Sequence, residues 1–285
     1  MQNIILTGNT LTLEDLVEVA RHGATVELSE EARQNVITSR AIVEDIVAKD
    51  KVVYGITTGF GEFSKVKISQ EDCAQLQENL IRSHACGYGA YFTTDIVRAV
   101  MLTRANALSK GYSGIKLETL ETLIAMLNKN VHPLIPEKGS LGASGDLAPL
   151  SHMVLPMLGL GEAEYEGVHM TGKEAMAKAG IPTIKLDAKE GLALINGTQV
   201  LTSTGALAVY DAEALIKLSD ITAALTMEAL RGITDAFDPR IHIIRNQRGQ
   251  IVTAKNMLRL LEGSTYTTRQ GELRVQDAYS LRCIP

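Results

Sequence analysis

Residues 202–230, TSTGALAVYDAEALIKLSDITAALTMEAL, decide the fold. Ala214, Leu218, Ile221 and Leu225 form a heptad-like seam, and few polar residues interrupt the apolar positions around it. A helix of that length with apolar residues beyond one stripe is expected to lie buried among other helices. The chain is therefore read as mainly α, a bundle of long helices.

The rest of the sequence agrees. Thr12-Leu13-Glu14-Asp15 is a capping-box pattern that opens an apolar-periodic run stopping near Gly23. Val36, Val43, Ile46 and Val47 share one helical face between Ser29 and Lys49. Ile96, Val97, Val100, Met101 and Leu108 share another, ending before Gly111. Leu120, Leu123, Ile124 and Leu127 stand at i, i+3, i+4 and i+7, and His132-Pro133 ends that helix. Thr171 to Gly180 predicts a short helix capped by Thr171 with Glu174 in reply. Strand signals are short and few, at Lys51–Tyr54 and Pro182–Leu186.

Two glycine-rich segments break the helical pattern, Tyr54 to Gly61 and Gly139 to Asp146. Glycine permits positive φ and close backbone approach, and loops on a rigid scaffold are where chemistry tends to sit. Neither segment matches a phosphate-binding pattern, and no strand–loop–helix context surrounds them. Ser64-Lys65-Val66-Lys67 fits S-x-x-K, but the partner motifs of that enzyme class are missing. Gly142-Ala143-Ser144-Gly145 comes near a nucleophile elbow, with its second glycine one place early, which leaves a serine hydrolase as a disfavoured alternative.

Composition narrows the function. The 285 residues are 45% hydrophobic and 21% charged, the balance of an ordinary soluble globular protein. A net charge of −5, 4% aromatics and no tryptophan leave neither a basic footprint nor stacking platforms for nucleic acid. The N-terminus lacks the pattern of a signal peptide, and the most apolar stretch, Leu147 to Gly161, is interrupted by Pro149, Ser151, His152 and Pro156. Cys73, Cys86 and Cys283 have no CxxC spacing and fit a reducing cytosol. His22, His132, His152, His169 and His242 show no paired-ligand spacing, so no metal is expected.

Ala143-Ser144-Gly145 suits a different chemistry. Three small residues in a tight loop allow the Gly145 amide nitrogen to attack the Ala143 carbonyl carbon. Loss of water, including the Ser144 hydroxyl, then leaves a five-membered ring with an exocyclic methylidene, an electrophile that the twenty side chains lack. Residues 139–152 as a whole, GSLGASGDLAPLSH, resemble the signature of the aromatic amino acid ammonia-lyases, which carry this 4-methylidene-imidazol-5-one (MIO) group. Tyr54 to Gly61, Asn196-Gly197-Thr198-Gln199, and Gln276 to Cys283 fit the same family in the same order.

The resemblance implies a helical fold of the fumarase/aspartase-like ammonia-lyase type. Residues 1–200 would form the MIO-bearing domain and 201–285 the start of a central long-helix bundle. Ser83-His84 resembles the pair found in the histidine-specific members. The phenylalanine enzymes carry apolar residues there, and the tyrosine enzymes place His first and Leu second. The implied reaction is elimination of ammonia from L-histidine to give trans-urocanate. Ala143, Ser144 and Gly145 would supply the electrophile, and Tyr54 would be the base for the β-proton. Arg282 would hold the substrate carboxylate, Asn196 would bind the carboxylate or polarise the MIO carbonyl, and Gln276 and Tyr279 would join the same polar network. The resemblance further implies a cytoplasmic homotetramer whose sites are shared between subunits, with no metal or diffusible cofactor. A tyrosine or phenylalanine lyase, an aminomutase, or a non-catalytic helical assembly protein that retains the motifs are the alternatives. Family members are typically longer by a second helical portion, which makes this chain resemble their N-terminal half.

Overall fold

The computed structural model describes residues 2–53, 55–58, 70–142 and 145–285. The chain divides into two compact units, Met1–Leu207 and Ala208–Pro285.

The first unit opens with β1 (Asn3–Leu6), α1 (Leu13–His22) and β2 (Thr25–Leu28), the two strands pairing in parallel. The expected capping box is present. Thr12 accepts from the Asp15 N–H, the Asp15 carboxylate accepts from the Thr12 N–H, and Gly23 ends α1 at φ 75°. Such an N-cap is worth about 1 kcal/mol. Next come α2 (Glu30–Ala48), α3 (Gln70–His84), β3 (Tyr88–Tyr91), α4 (Thr94–Ser109) and α5 (Leu117–Asn128). Leu102, Leu108, Leu120, Leu123 and Met126 are wholly buried where α4 and α5 pack. At the end of α5, the Asn128 side chain pairs with both backbone groups of Val26, at 2.9 and 2.8 Å, extending the β2 edge.

Two buried arginines lie on the apolar face of α4. Arg98 ties two helix ends together, donating to the carbonyls of Val19 (2.9 Å) and Leu127 (3.1 Å). The last carbonyls of a helix lack intrahelical partners and favour a cation there. Burial lowers the pKa of Arg98. Arg104 plays a similar part nearer the candidate site.

His132 and Pro133 form the two-residue strand β4, and β5 (Pro136–Lys138) pairs with β3. After α6 (Leu147–Val154) and a 3-10 turn come β6 (Glu162–Tyr165) and β7 (Val168–Thr171). They form a hairpin whose turn residues, Glu166 and Gly167, both have positive φ, the requirement of a type I′ turn. The unit closes with α7 (Gly172–Lys178), α8 (Glu190–Ile195) and the beginning of α9 (Gln199–Ala229).

The strand expectations are corrected. Residues 51–53 are coil, in which the Thr57 side chain bonds the backbone of both Lys51 and Val53. Residues 182–186 are also coil, tied down by the Ile184 N–H to the Met157 carbonyl. Both runs have β-prone residues, but among the described residues no neighbouring strand completes a ladder with them. The strands that do form are two to four residues long, too short for alternation to reveal.

The second unit holds the rest of α9, a 3-10 turn, α10 (Pro239–Arg245), α11 (Arg248–Leu260) and α12 (Tyr279–Arg282). Its core is a small cluster around Met227, Phe237, Met257 and Leu281. Leu218, Ile221 and Leu225, the seam expected to be covered, are 54%, 47% and 62% exposed. Contiguous apolar exposure of this kind marks a surface that another layer covers. Among the described residues, no helix is long and apolar enough to cross a membrane.

Candidate active site

Three segments of the first unit converge: the end of α3, the loop before α6, and the loop joining α8 to α9. At the end of α3, His84 is half-buried with Nδ1 2.9 Å from the Leu80 carbonyl and 3.1 Å from Ser83 Oγ. A carbonyl can only accept, so Nδ1 carries the hydrogen of the neutral ring and Nε2 keeps its lone pair.

Three residues on, the Gly87 N–H donates to Nε2 of His152, on α6, at 3.0 Å. A side-chain carbon on Gly87 would stand 3.1 Å from that nitrogen and from Pro136, and one on Gly139 would stand 3.2 Å from Gly87 Cα. The His84 segment and the start of the 139–146 loop are thus held in direct contact. Burial lowers the pKa of His152, and only the unprotonated Nε2 can accept. The unfolded chain therefore binds more protons than the folded one, so stability rises with pH. His152's share is complete above its unfolded value of about 6.5 and fades as pH falls through it toward the lower folded value. The His152→Gln variant keeps an acceptor and should lose less stability between pH 7.5 and 5 in urea unfolding than the parent. An equal loss in both would assign the pH dependence elsewhere, for example to His132, held low by burial and the Arg98 cation.

The loop itself folds back. Gly142 and Gly145 take φ of 75° and 63°. The Gly145 N–H donates to the Gly142 carbonyl at 3.1 Å, and the Leu141 N–H reaches the Gly145 carbonyl at 3.1 Å. A Cβ at Gly145 would meet nothing nearer than 3.7 Å, so its left-handed φ is what calls for glycine there.

Asp146 fixes this turn to the next segment. Its buried carboxylate accepts from the backbone N–H groups of Val200 (2.8 Å) and Leu201 (3.1 Å), two of the unpaired donors at the start of α9. The other oxygen accepts from Ser140 Oγ at 2.9 Å. An anion at a helix N-terminus is favoured by the macrodipole as well. Gly145 forms a β-bridge with Gly197, and the Asp146 N–H points to the Gly197 carbonyl at 3.4 Å.

Asn196 follows α8 directly and its side chain is exposed. Its backbone carbonyl accepts from Arg104 Nη1 at 3.1 Å, and the same nitrogen donates to Gln199 Oε1 at 2.8 Å. Another guanidinium N–H bonds the Ala193 carbonyl. Burial draws the Arg104 pKa down to about 10, which leaves it charged near neutrality. A Cβ at Gly197 would press on the ends of the Arg104 and Gln199 side chains, which would have to shift out of the bonds described.

Gly145 and Asn196 are therefore brought together, with the His84 segment joined to the start of the same loop. Tyr54, Ala143 and Ser144 lie outside the described residues. In the second unit, Gln276 and Arg282 border one recess with Asp277, and Tyr279 is 73% exposed on α12. The buried Asp277 carboxylate anchors that segment by accepting from the Ile233 N–H (2.6 Å) and Arg274 Nε (2.5 Å). The recess holds about 20 Å³, room for a water and little more.

Asp146, His152 and Arg104 carry no individual role in the motifs themselves. One signal was available for Arg104. It falls on the apolar face of α4 at i+4 from Val100 and i−4 from Leu108, where a cation has to find buried acceptors.

Fold and motifs together are those of a helical ammonia-lyase, and the chain belongs to the aromatic amino acid lyase family, whose sequence pattern matches residues 11–285. Among curated relatives, the histidine ammonia-lyase of Clostridium tetani is 75% identical over all 285 residues, which cover 55% of that protein. The crystal structure of histidine ammonia-lyase from Trypanosoma cruzi superposes with a TM-score of 0.87 at 38% identity, over 99% of this chain and 52% of that one. A tyrosine aminomutase from Streptomyces globisporus gives 0.91 at 37% identity, over 99% and 57%. The chain spans about half the length of the curated relatives it matches.

Proposed function

We propose that this chain contributes to a histidine ammonia-lyase that converts L-histidine to trans-urocanate and ammonia. The observation that carries this reading is the 75% identity to such an enzyme across the entire chain. The left-handed φ of Gly142 and Gly145, on either side of Ala143 and Ser144, and the bond from the Gly145 N–H to the Gly142 carbonyl support a tight loop here. The MIO group formed from Ala143, Ser144 and Gly145 would supply an electrophile for the substrate amine, making ammonia a better leaving group.

The chain's own residues do the rest. The Cα–N bond breaks, its electron pair leaving with the amine, while a proton leaves Cβ. Tyr54 takes that proton, which requires a phenolate stabilised well below its ordinary pKa of about 10. Arg282 grips the carboxylate through two parallel donors, and Asn196, Gln276 and Tyr279 complete the polar surroundings. His84, with Nε2 left as an acceptor, receives the N–H of the substrate imidazole. The reading includes a cytoplasmic homotetramer with shared sites, and the exposed seam on α9 supports burial of that face against further helices. The reading requires no metal or diffusible cofactor.

The test is product analysis with L-histidine, L-tyrosine and L-phenylalanine, followed in the ultraviolet. Urocanate should form from histidine, and His84→Leu should reduce that activity more than any activity toward phenylalanine. Coumarate, cinnamate or a β-amino acid as the main product would transfer the assignment to another member of the family. No product from any of the three would favour a non-catalytic assembly protein.

A further inference from the structure

Arg104 is a buried cation whose described partners are all neutral: two carbonyls and the Gln199 amide oxygen. Among the described residues no carboxylate pairs with it, and its Nε–H has no acceptor. A buried charge without a counter-charge is costly, and unlike Arg98, whose carbonyl partners lie at helix ends, Arg104 also borders open space.

Arg104 borders a cavity of about 210 Å³ with Tyr112, Ser113, Lys189 and Asn196. A larger cavity of about 490 Å³ shares Tyr112, Ser113 and Lys189 and adds Lys110. Three cations line the two spaces together, and neither wall has an aspartate or glutamate. Lys189 is half-buried and held at φ 75°, an uncommon conformation for a non-glycine residue. No described residue hydrogen-bonds its ammonium group, and burial lowers its pKa.

We infer that this cleft is an anion subsite in which Lys189 and the Tyr112 and Ser113 hydroxyls, backed by the Arg104 charge, take a small carboxylate or inorganic oxyanion beside Asn196. The smaller space corresponds to about seven waters, enough for a carboxylate or phosphate group with part of its carrier, the larger space accommodating the remainder. Cations in a cleft bordered by protein act through a lower dielectric than at a flat surface, which strengthens capture of an anion. Ser113, half-buried, and Tyr112, 88% exposed, border both spaces, and their hydroxyls are donors whose direction can adapt to bound oxygens. The subsite stands on the charge and shape of the cleft, independently of the lyase reading, so it is tested by binding and not by turnover.

The experiment is calorimetric titration of the 285-residue chain at low ionic strength with inorganic phosphate, urocanate and urocanate methyl ester. The Arg104 Nε–H resonance is followed in parallel. One saturable site per chain is expected, with phosphate and urocanate competing, the Nε–H resonance shifting, and the uncharged ester failing to bind. Tighter binding of urocanate would assign the cleft to an organic acid, and tighter binding of phosphate to a free oxyanion. Lys189→Gln should weaken affinity about tenfold. Lys189→Gly, which suits the left-handed backbone, should do the same in a fully folded chain. Unsaturable binding, equal affinity for the ester, or undiminished affinity in both Lys189 variants would overturn the assignment.

Discussion

Ser144→Ala should leave the chain at the mass its sequence dictates, whereas the parent should be lighter by two waters. The MIO group needs the Ser144 hydroxyl as a leaving group, and alanine offers none. The near-ultraviolet absorbance of the ring should vanish with it, and turnover of L-histidine should fall by roughly three orders of magnitude or more, because covalent activation of the amine is lost. Neighbouring backbone bonds, such as the Gly145 N–H to the Gly142 carbonyl, do not involve the hydroxyl, so the fold should persist. Equal masses for parent and variant, or full activity in the variant, would refute ring formation at Ser144.

The second large effect is expected at Asp146. Alanine there deprives two α9 N–H groups and the Ser140 hydroxyl of their acceptor at once. One buried and two part-buried donors left unpaired, together with a lost anion at a helix N-terminus, should cost about 2 kcal/mol in urea unfolding. The loss should also reach the chemistry. Asp146 is adjacent to Gly145 and anchors the turn to the Asn196 segment, so Asp146→Ala should impair ring formation and shift the intact mass toward the unmodified value. Asp146→Asn retains one acceptor oxygen and should fall between parent and alanine in both measurements. A stable alanine variant with its full complement of ring would show that the turn holds its geometry without the carboxylate.

Much of the helical framework was legible because it is local. The Thr12 capping box, the Ser29 start of α2, the apolar periodicity of α4 and α5, and the length of α9 depend on residues within a few turns of one another, and the observed limits fall close to those expected. The short strands were illegible for the opposite reason. β1 needs β2 twenty-two residues away, β4 needs β6 some thirty residues on, and two to four residues carry too little alternation to announce a partner. The two runs that look like strands have no strand neighbour among the described residues.

The same division holds at the candidate site. The sequence by itself determined the chemistry on offer, because residues 139–152, Ser83-His84 and the Asn196 segment are short motifs whose residue types limit what they can do. Only the tertiary structure decided how those pieces are held. The His84 tautomer follows from its bond to Leu80, Asp146 ties the residue beside Gly145 to α9, and His152 secures Gly87. Arg104, on a helix almost a hundred residues before Asn196, closes the loop beneath it. Motifs record which functional groups are present, but hydrogen bonds between distant segments set their protonation and direction, and those depend on packing that no local pattern encodes.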